Sequence, residues 1–287
     1  MQMLLACELK YYFNYYKANN KDGSEDSKKA FRLKSLKTVD LLNGEIFHNQ
    51  VKSLIKSSNV NEIGPNTLRT MMTNKIEKAF QDSQTKLKEW ILNPKAYNML
   101  NEVYYCQDNF VDKKKENSIR KLTECSKNIF NSLIFRELTG EYRKVKILEL
   151  DSLSEFNDLT MKAYVKLDVL HINEEGMYVI TDWKTSKNWC DTDVFQLLVY
   201  ALYVHLTYGI APERIRANLV YVAIKRSYTY TFTKEDLKFT KEKILSEMDR
   251  IKSCAMDTKT NQPLPENCFR AGNINVCKTC NYKEICG

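Results

Sequence analysis

The stretch from Thr160 to Lys184 constrains this chain most. Tyr164-Val165-Lys166-Leu167-Asp168 runs on to Ile172, Asn173-Glu174-Glu175-Gly176 interrupts, and Tyr178-Val179-Ile180-Thr181-Asp182-Trp183-Lys184 resumes. β-Branched and aromatic residues dominate both runs and a polar, glycine-ended turn joins them, so the pattern is a hairpin. Asp168 lies in one strand and Asp182 ends the next. Antiparallel pairing can bring both carboxylates to one end of a sheet, a hard-oxygen site of the kind Mg²⁺ or Mn²⁺ prefers. Lys184 follows Asp182 by two residues, so strand alternation puts both side chains on one face.

A metal held by such carboxylates activates water and polarises a phosphodiester, and an ammonium beside it stabilises charge developing in the transition state. The competing reading is a hairpin end with solvated Asp and Lys, because Asp-x-Lys tripeptides are common. The rest of the chain supplies context. Residues 4–16, 36–55, 67–92, 95–105 and 118–139 read as helices, with 17–29 a loop and Gly64-Pro65 a break. The character changes at Arg143. Strands are expected over 144–150, 160–172 and 177–182, a helix over 193–208 stopped by Gly209, a strand pair over 215–223 and 227–233, and a helix over 234–256. The expected fold is α/β: a mixed central sheet flanked by helices, with helical material in front. We expect N-terminal helices over 1–50, a helical insertion over 51–139, the core over 140–260 and a cysteine tail over 261–287, integrated into one domain.

The net charge of +8 is compatible with a polyanionic partner and equally with a lysine-rich solvated surface. No apolar run has the roughly 18 residues a membrane helix needs, and residues 1–10 are charged too early for a signal peptide. The expectation is an intracellular, cytoplasmic protein with no membrane partner. Nine cysteines in such a chain would stay reduced. Three form a C-x2-C-x5-C run, Cys277, Cys280 and Cys286. A four-coordinate site needs one more thiolate. Cys7, in the aromatic helix with Tyr11, Tyr12, Phe13, Tyr15 and Tyr16, is the candidate, with Cys268 its rival. Cys106, Cys125, Cys190 and Cys254 read as ordinary thiols.

Asp168 followed by Asp182-Trp183-Lys184-Thr185 resembles the PD-(D/E)XK signature in its RecB-like form. Gly44-Glu45-Ile46-Phe47-His48 resembles that family's Gly-x-x-x-His helix, and Gln196 with Tyr200 its Gln-x-x-x-Tyr element, four residues apart on one helix face. All fall in family order. Leu167 stands where the older motif has Pro, and no glycine shortly precedes Asp168. The cysteine set resembles the 4Fe-4S staple of RecB-like exonucleases, including AddB-type nuclease domains of helicase–nucleases and CRISPR-associated members, although Glu8 follows Cys7 where that family has Pro. A zinc knuckle would use the same residues.

The resemblance implies a restriction-endonuclease-like core and a metal-dependent DNA exonuclease with 5′-phosphate products. His48, Asp168, Asp182 and the Trp183 carbonyl would bind two Mg²⁺ or Mn²⁺ ions, with Lys184 positioning the attacking water. Gln196 and Tyr200 would contact the DNA strand or brace the site. Cys7, Cys277, Cys280 and Cys286 would hold a 4Fe-4S cluster. Implied partners are single-stranded DNA or DNA ends and a helicase, recombination, repair or CRISPR adaptation protein. The rival class is a non-catalytic DNA-end-binding subunit with a structural metal staple. The aromatic N-terminal helix could stack bases of single-stranded DNA or pack a core.

Overall fold

The computed structural model describes residues 2–19, 22–57, 62–105, 108–139, 145–156, 159 and 162–286. The expected strand starts at Lys144 and Thr160, the change of character at Arg143, and Cys106 lie outside these. In chain order the helices before the sheet are α1 (Gln2–Ala6), α2 (Glu8–Tyr15), α3 (Glu25–Lys34), α4 (Val39–Lys56), α5 (Pro65–Thr85), α6 (Leu87–Leu92), α7 (Asn101–Tyr104), α8 (Asp108–Ile129) and α9 (Leu133–Thr139). Then come β1 (Lys146–Phe156), β2 (Ala163–Ile172), β3 (Tyr178–Lys184), α10 (Asp191–Tyr208), β4 (Ile215–Tyr221), β5 (Arg226–Thr231), α11 (Lys234–Lys252), β6 (Ala255–Asp257), β7 (Gln262–Pro263) and α12 (Ile274–Lys278).

Two compact units result: Met1–Leu42, Ile76–Glu116 and Glu247–Gly287 form one, and Asn43–Lys75 with Asn117–Ser246 the other. The second contains a five-stranded sheet in the order β1-β2-β3-β4-β5. Its β1/β2, β2/β3 and β4/β5 pairs are antiparallel and β3/β4 is parallel, so the sheet is mixed as expected. The β2–β3 turn is made by Asn173, whose Oδ1 accepts from the N–H groups of Glu175 and Met177, and by Gly176 at φ 73°.

A parallel pair needs a crossover, and α10 provides it between β3 and β4. Asp191 and Asp193 in its first turn complement the helix dipole, and Gly209, left-handed at φ 65°, ends it. Its Leu197, Tyr200, Ala201 and Val204 pack with Leu167, Leu170, Ile180, Ala217 and Leu219. Each fully buried aliphatic side chain there contributes about 1.5–3 kcal/mol. Hydroxyls satisfy the buried Glu149, which has no counter-cation among the described residues: Tyr203 and Tyr208 donate to Oε1 at 2.7 and 2.8 Å and Ser154 to Oε2 at 2.9 Å.

The other unit packs α2 and α3 with Trp90, Met99 and Tyr282, and seats Leu4, Tyr11 and Tyr16 with Phe269. Helical periodicity overreached here. The helix expected over 4–16 is broken at Cys7, whose φ of −165° leaves the helix and whose own sulfur caps α2 by accepting from Lys10 N. The loop expected over 17–29 contains the start of α3, capped by Ser24 with Glu25 and Asp26 in the first turn. The helix over 67–92 divides at Lys86, and that over 95–105 reduces to α7. Among the described residues no helix is long and apolar enough to cross a membrane.

His171 in β2 is fully buried, and among the described residues neither ring nitrogen has a hydrogen-bond partner. Glu137 Oε1 is 3.7 Å from Nε2. Burial pushes the imidazole down to about 4. The unfolded chain therefore binds the extra proton first as pH falls. The contribution is intact above about pH 6.5 and is lost progressively toward pH 4, on the order of 3 kcal/mol in all. Thermal melts across this range should show His171→Leu flattening that decline; an unchanged slope would mean that another group titrates.

Candidate active site

The β2–β3 hairpin and α4 build one site inside the sheet-bearing unit. Asp168 in β2 has both oxygens engaged: Oδ1 is 2.8 Å from His48 Nδ1, and Oδ2 accepts from Trp183 N at 2.8 Å. His48 reaches it from α4, where Phe47 and Val51 on either side are buried. Burial disfavours the charged imidazole, but Asp168 outweighs it and raises His48 above its ordinary range. Gly44, one turn earlier, has open space where a Cβ would stand. The helix thus accepts a glycine, costing about 1 kcal/mol against alanine, with no packing reason.

Asp182 in β3 is 3% exposed. Its Oδ2 lies 2.9 Å from Lys184 Nζ as an ion pair. Burial first, and the neighbouring Asp168 second, hold its carboxyl well above the usual carboxylate range. Lys184 is the opposite case. Burial opposes its charge, but Asp182 and Asp193 hold the ammonium above its ordinary value. It donates to Gln196 Oε1 at 2.7 Å and lies 3.4 Å from Asp193 Oδ1.

Gln196 and Tyr200, one turn apart on α10, continue the chain of contacts. Gln196 Nε2 donates to Tyr200 Oη at 2.6 Å, and Tyr200 Oη donates to the Lys166 carbonyl at 2.9 Å. Tyr200 is buried. These bonds are those of a brace that fixes the Lys184 ammonium. Asp193 was missed by sequence reasoning. It accepts from Tyr221 Oη at 2.7 Å while facing Lys184, and in sequence it reads as an ordinary helix-start acid.

The chain's match to known families settles its kinship. A family model of the PD-(D/E)XK nuclease superfamily matches residues 1–287. The chain belongs to that superfamily. None of the curated proteins compared with it matches. In this PD-(D/E)XK nuclease the mixed sheet is the restriction-endonuclease-like core. Its hairpin carries Asp168, Asp182 and Lys184 in motif order.

In the other unit Cys7 and Cys277 flank Gly272, whose N–H donates to Cys7 Sγ at 3.1 Å and whose carbonyl lies 4.0 Å from Cys277 Sγ. Burial first, then the neighbouring Cys7, Cys280 and Cys277, hold the Cys286 thiol above the ordinary range. Cys280 is raised chiefly by burial, with Cys7 and Cys277 contributing. Leu9 N donates to Arg270 O at 3.0 Å, Arg270 N to Glu8 Oε2 at 3.1 Å, and Gly272 N to Cys7 Sγ at 3.1 Å. Tyr282 N lies 3.4 Å from Cys280 Sγ as a further donor. Gly272 was not anticipated: a Cβ there would meet Ala6 O at 2.6 Å and Cys7 Cβ at 2.9 Å, so only glycine allows this approach. Cys268 and Cys190 are exposed and Cys125 is buried. The N-terminal aromatics largely pack: Tyr11, Phe13 and Tyr16 are buried, while Tyr15 is 47% exposed. Among the described residues no three His, Cys, Asp or Glu side chains are drawn close enough to enclose a single metal ion.

Removing the Gln196 amide takes from Lys184 its shortest hydrogen bond. Gln196→Ala should lower the single-turnover cleavage rate about 10- to 100-fold with little change in melting temperature. An unchanged rate would show that Lys184 needs no brace.

Proposed function

We propose that this PD-(D/E)XK nuclease is a Mg²⁺- or Mn²⁺-dependent DNA exonuclease stapled by a 4Fe-4S cluster. The observation carrying the nuclease half is the pair of carboxylates at one hairpin end: Asp182, 3% exposed and held up by burial and by Asp168, has the Lys184 ammonium 2.9 Å from its Oδ2. Burying like charges side by side is costly, and a hard divalent cation would relieve it. His48, Asp168, Asp182 and the Trp183 carbonyl would hold the ions, which when bound would acidify water and polarise the phosphodiester. Lys184, fixed by Gln196 and kept charged by Asp182 and Asp193, positions the water and faces the negative charge developing on phosphorus. Hydrolysis would leave 5′-phosphates. Retention of the whole Asp168, Asp182 and Lys184 set favours this over an inactive end-binding subunit. DNA ends or single strands are the proposed substrate, in repair, recombination or CRISPR adaptation, within the cytoplasm.

The staple, whose ligands would be Cys7, Cys277, Cys280 and Cys286, is supported by the approach of Cys7 and Cys277 to Gly272, by N–H donors to the Cys7 and Cys280 sulfurs, and by the glycine at the closest approach. Such donors tune Fe–S thiolates, and metal ligation would contribute directly to folding.

End-labelled single- and double-stranded DNA incubated with Mg²⁺ or Mn²⁺ should be degraded from its ends and survive with chelator. Asp182→Ala should be folded and inactive; full activity in this variant would sink the site. Purified without oxygen, the protein should be brown. Cys7→Ser should bleach it as Cys280→Ser does, whereas Cys268→Ser should not. Zinc without iron on elemental analysis would replace the cluster by a knuckle.

A further inference from the structure

Beside the Asp168 end of the site stands a charged triad that the nuclease reading leaves without a task. Asp151 in β1 binds two ammonium groups: Lys52 Nζ is 2.7 Å from Oδ2 and Lys166 Nζ 2.6 Å from Oδ1. Lys52 also donates to the Asp151 carbonyl at 3.1 Å. Asp151 has φ 47°, a left-handed conformation that costs a non-glycine residue about 1–2 kcal/mol. That twist turns its carbonyl and carboxylate toward the same lysine.

The placement follows the active site. Lys52 lies one helical turn beyond His48 on α4, and Lys166 lies two residues before Asp168 on β2. The pairs Leu150↔Val169 and Ser152↔Leu167 set Asp151 opposite Asp168. His48, Lys52, Asp151, Asp168 and Trp183 line one small hollow. The lysine heads remain reachable: side-chain exposure is 28% for Lys52 and 55% for Lys166, against 11% for Asp151. Two cations on one anion give the triad itself a net charge of +1. For stability alone the second lysine adds little, since a solvent-exposed ion pair contributes about 0–1 kcal/mol and here brings like-charge repulsion with the first.

We propose that Lys52 and Lys166 form a phosphate clamp for the DNA backbone next to the scissile position, with Asp151 holding both ammonium groups in place until a strand arrives. The ligand is a backbone phosphodiester, and the inference rests on the nuclease reading for that ligand alone. When the phosphate binds, the lysines exchange one anionic partner for another. They are positioning residues.

The test is fluorescence anisotropy of a labelled single-stranded oligonucleotide over a salt series, with chelator present so that nothing is cut. Lys52→Gln and Lys166→Gln should each weaken binding and flatten the plot of log affinity against log salt by about 0.7 per lost contact. Lys162→Gln, whose side chain is 77% exposed and paired with Glu155 at 3.8 Å, should leave the slope unchanged. Asp151→Asn should raise affinity several-fold by freeing both ammonium groups. A merely structural triad would give a lower melting temperature and no gain. Because Asp151→Asn could compromise folding, the half-exposed Lys166 provides the independent arm. Wild-type binding with an unchanged slope in both lysine variants, or an equal loss in Lys162→Gln, overturns the clamp alone. Wild type that fails to bind DNA overturns the DNA reading, and the clamp with it.

Discussion

Two like charges share the buried end of one hairpin, and much of the sheet-bearing unit is arranged around that repulsion. Asp168 is engaged there by both His48 and the Trp183 N–H. Asp182 has the Lys184 ammonium 2.9 Å from its Oδ2 and is pushed upward by its own burial and by Asp168. Lys184 is held charged between Asp182 and Asp193 and anchored by the Gln196–Tyr200 chain.

The parallel β3/β4 step makes this possible. Its crossover helix α10 must return along the sheet, and doing so carries Asp193, Gln196 and Tyr200 to the end of β3 where Lys184 stands. The unit without the five-stranded sheet uses a different device. Residues far apart in sequence, Cys7 and Gly272, touch through a backbone N–H to sulfur contact that any side chain at 272 would block. The same cysteine breaks α1 from α2 and caps the latter.

The hairpin was legible because its signals are local: β-branched runs, an Asn at the turn start and a glycine where φ must be positive. Asp168, Asp182, Lys184, His48, Gln196 and Tyr200 were each legible as members of ordered motifs. Asp193 was not, since an acid in a first helical turn already has a dipole reason to be there. The Lys52–Asp151–Lys166 triad was invisible because its members lie on three elements and meet only through β1/β2 register. The missed start of α3 had a readable signal, Ser24 before Glu25 and Asp26, outweighed by the polarity of its surroundings. The helix expected over 95–105 failed because tertiary contacts set that chain extended: Lys37 and Asn101 exchange backbone bonds with Met99 O and Lys37 O.

The central claim is that Asp182 is an ionisable group held for a cation, and its most direct test is calorimetric titration of Mn²⁺ into metal-free protein near neutral pH. Wild type should bind saturably. Asp182→Asn should weaken that binding at least about tenfold and, because it removes a carboxyl raised by burial and by Asp168, melt no lower than wild type in chelator. Equal Mn²⁺ affinity in the two proteins, or a metal-free variant that melts well below wild type, would contradict the account.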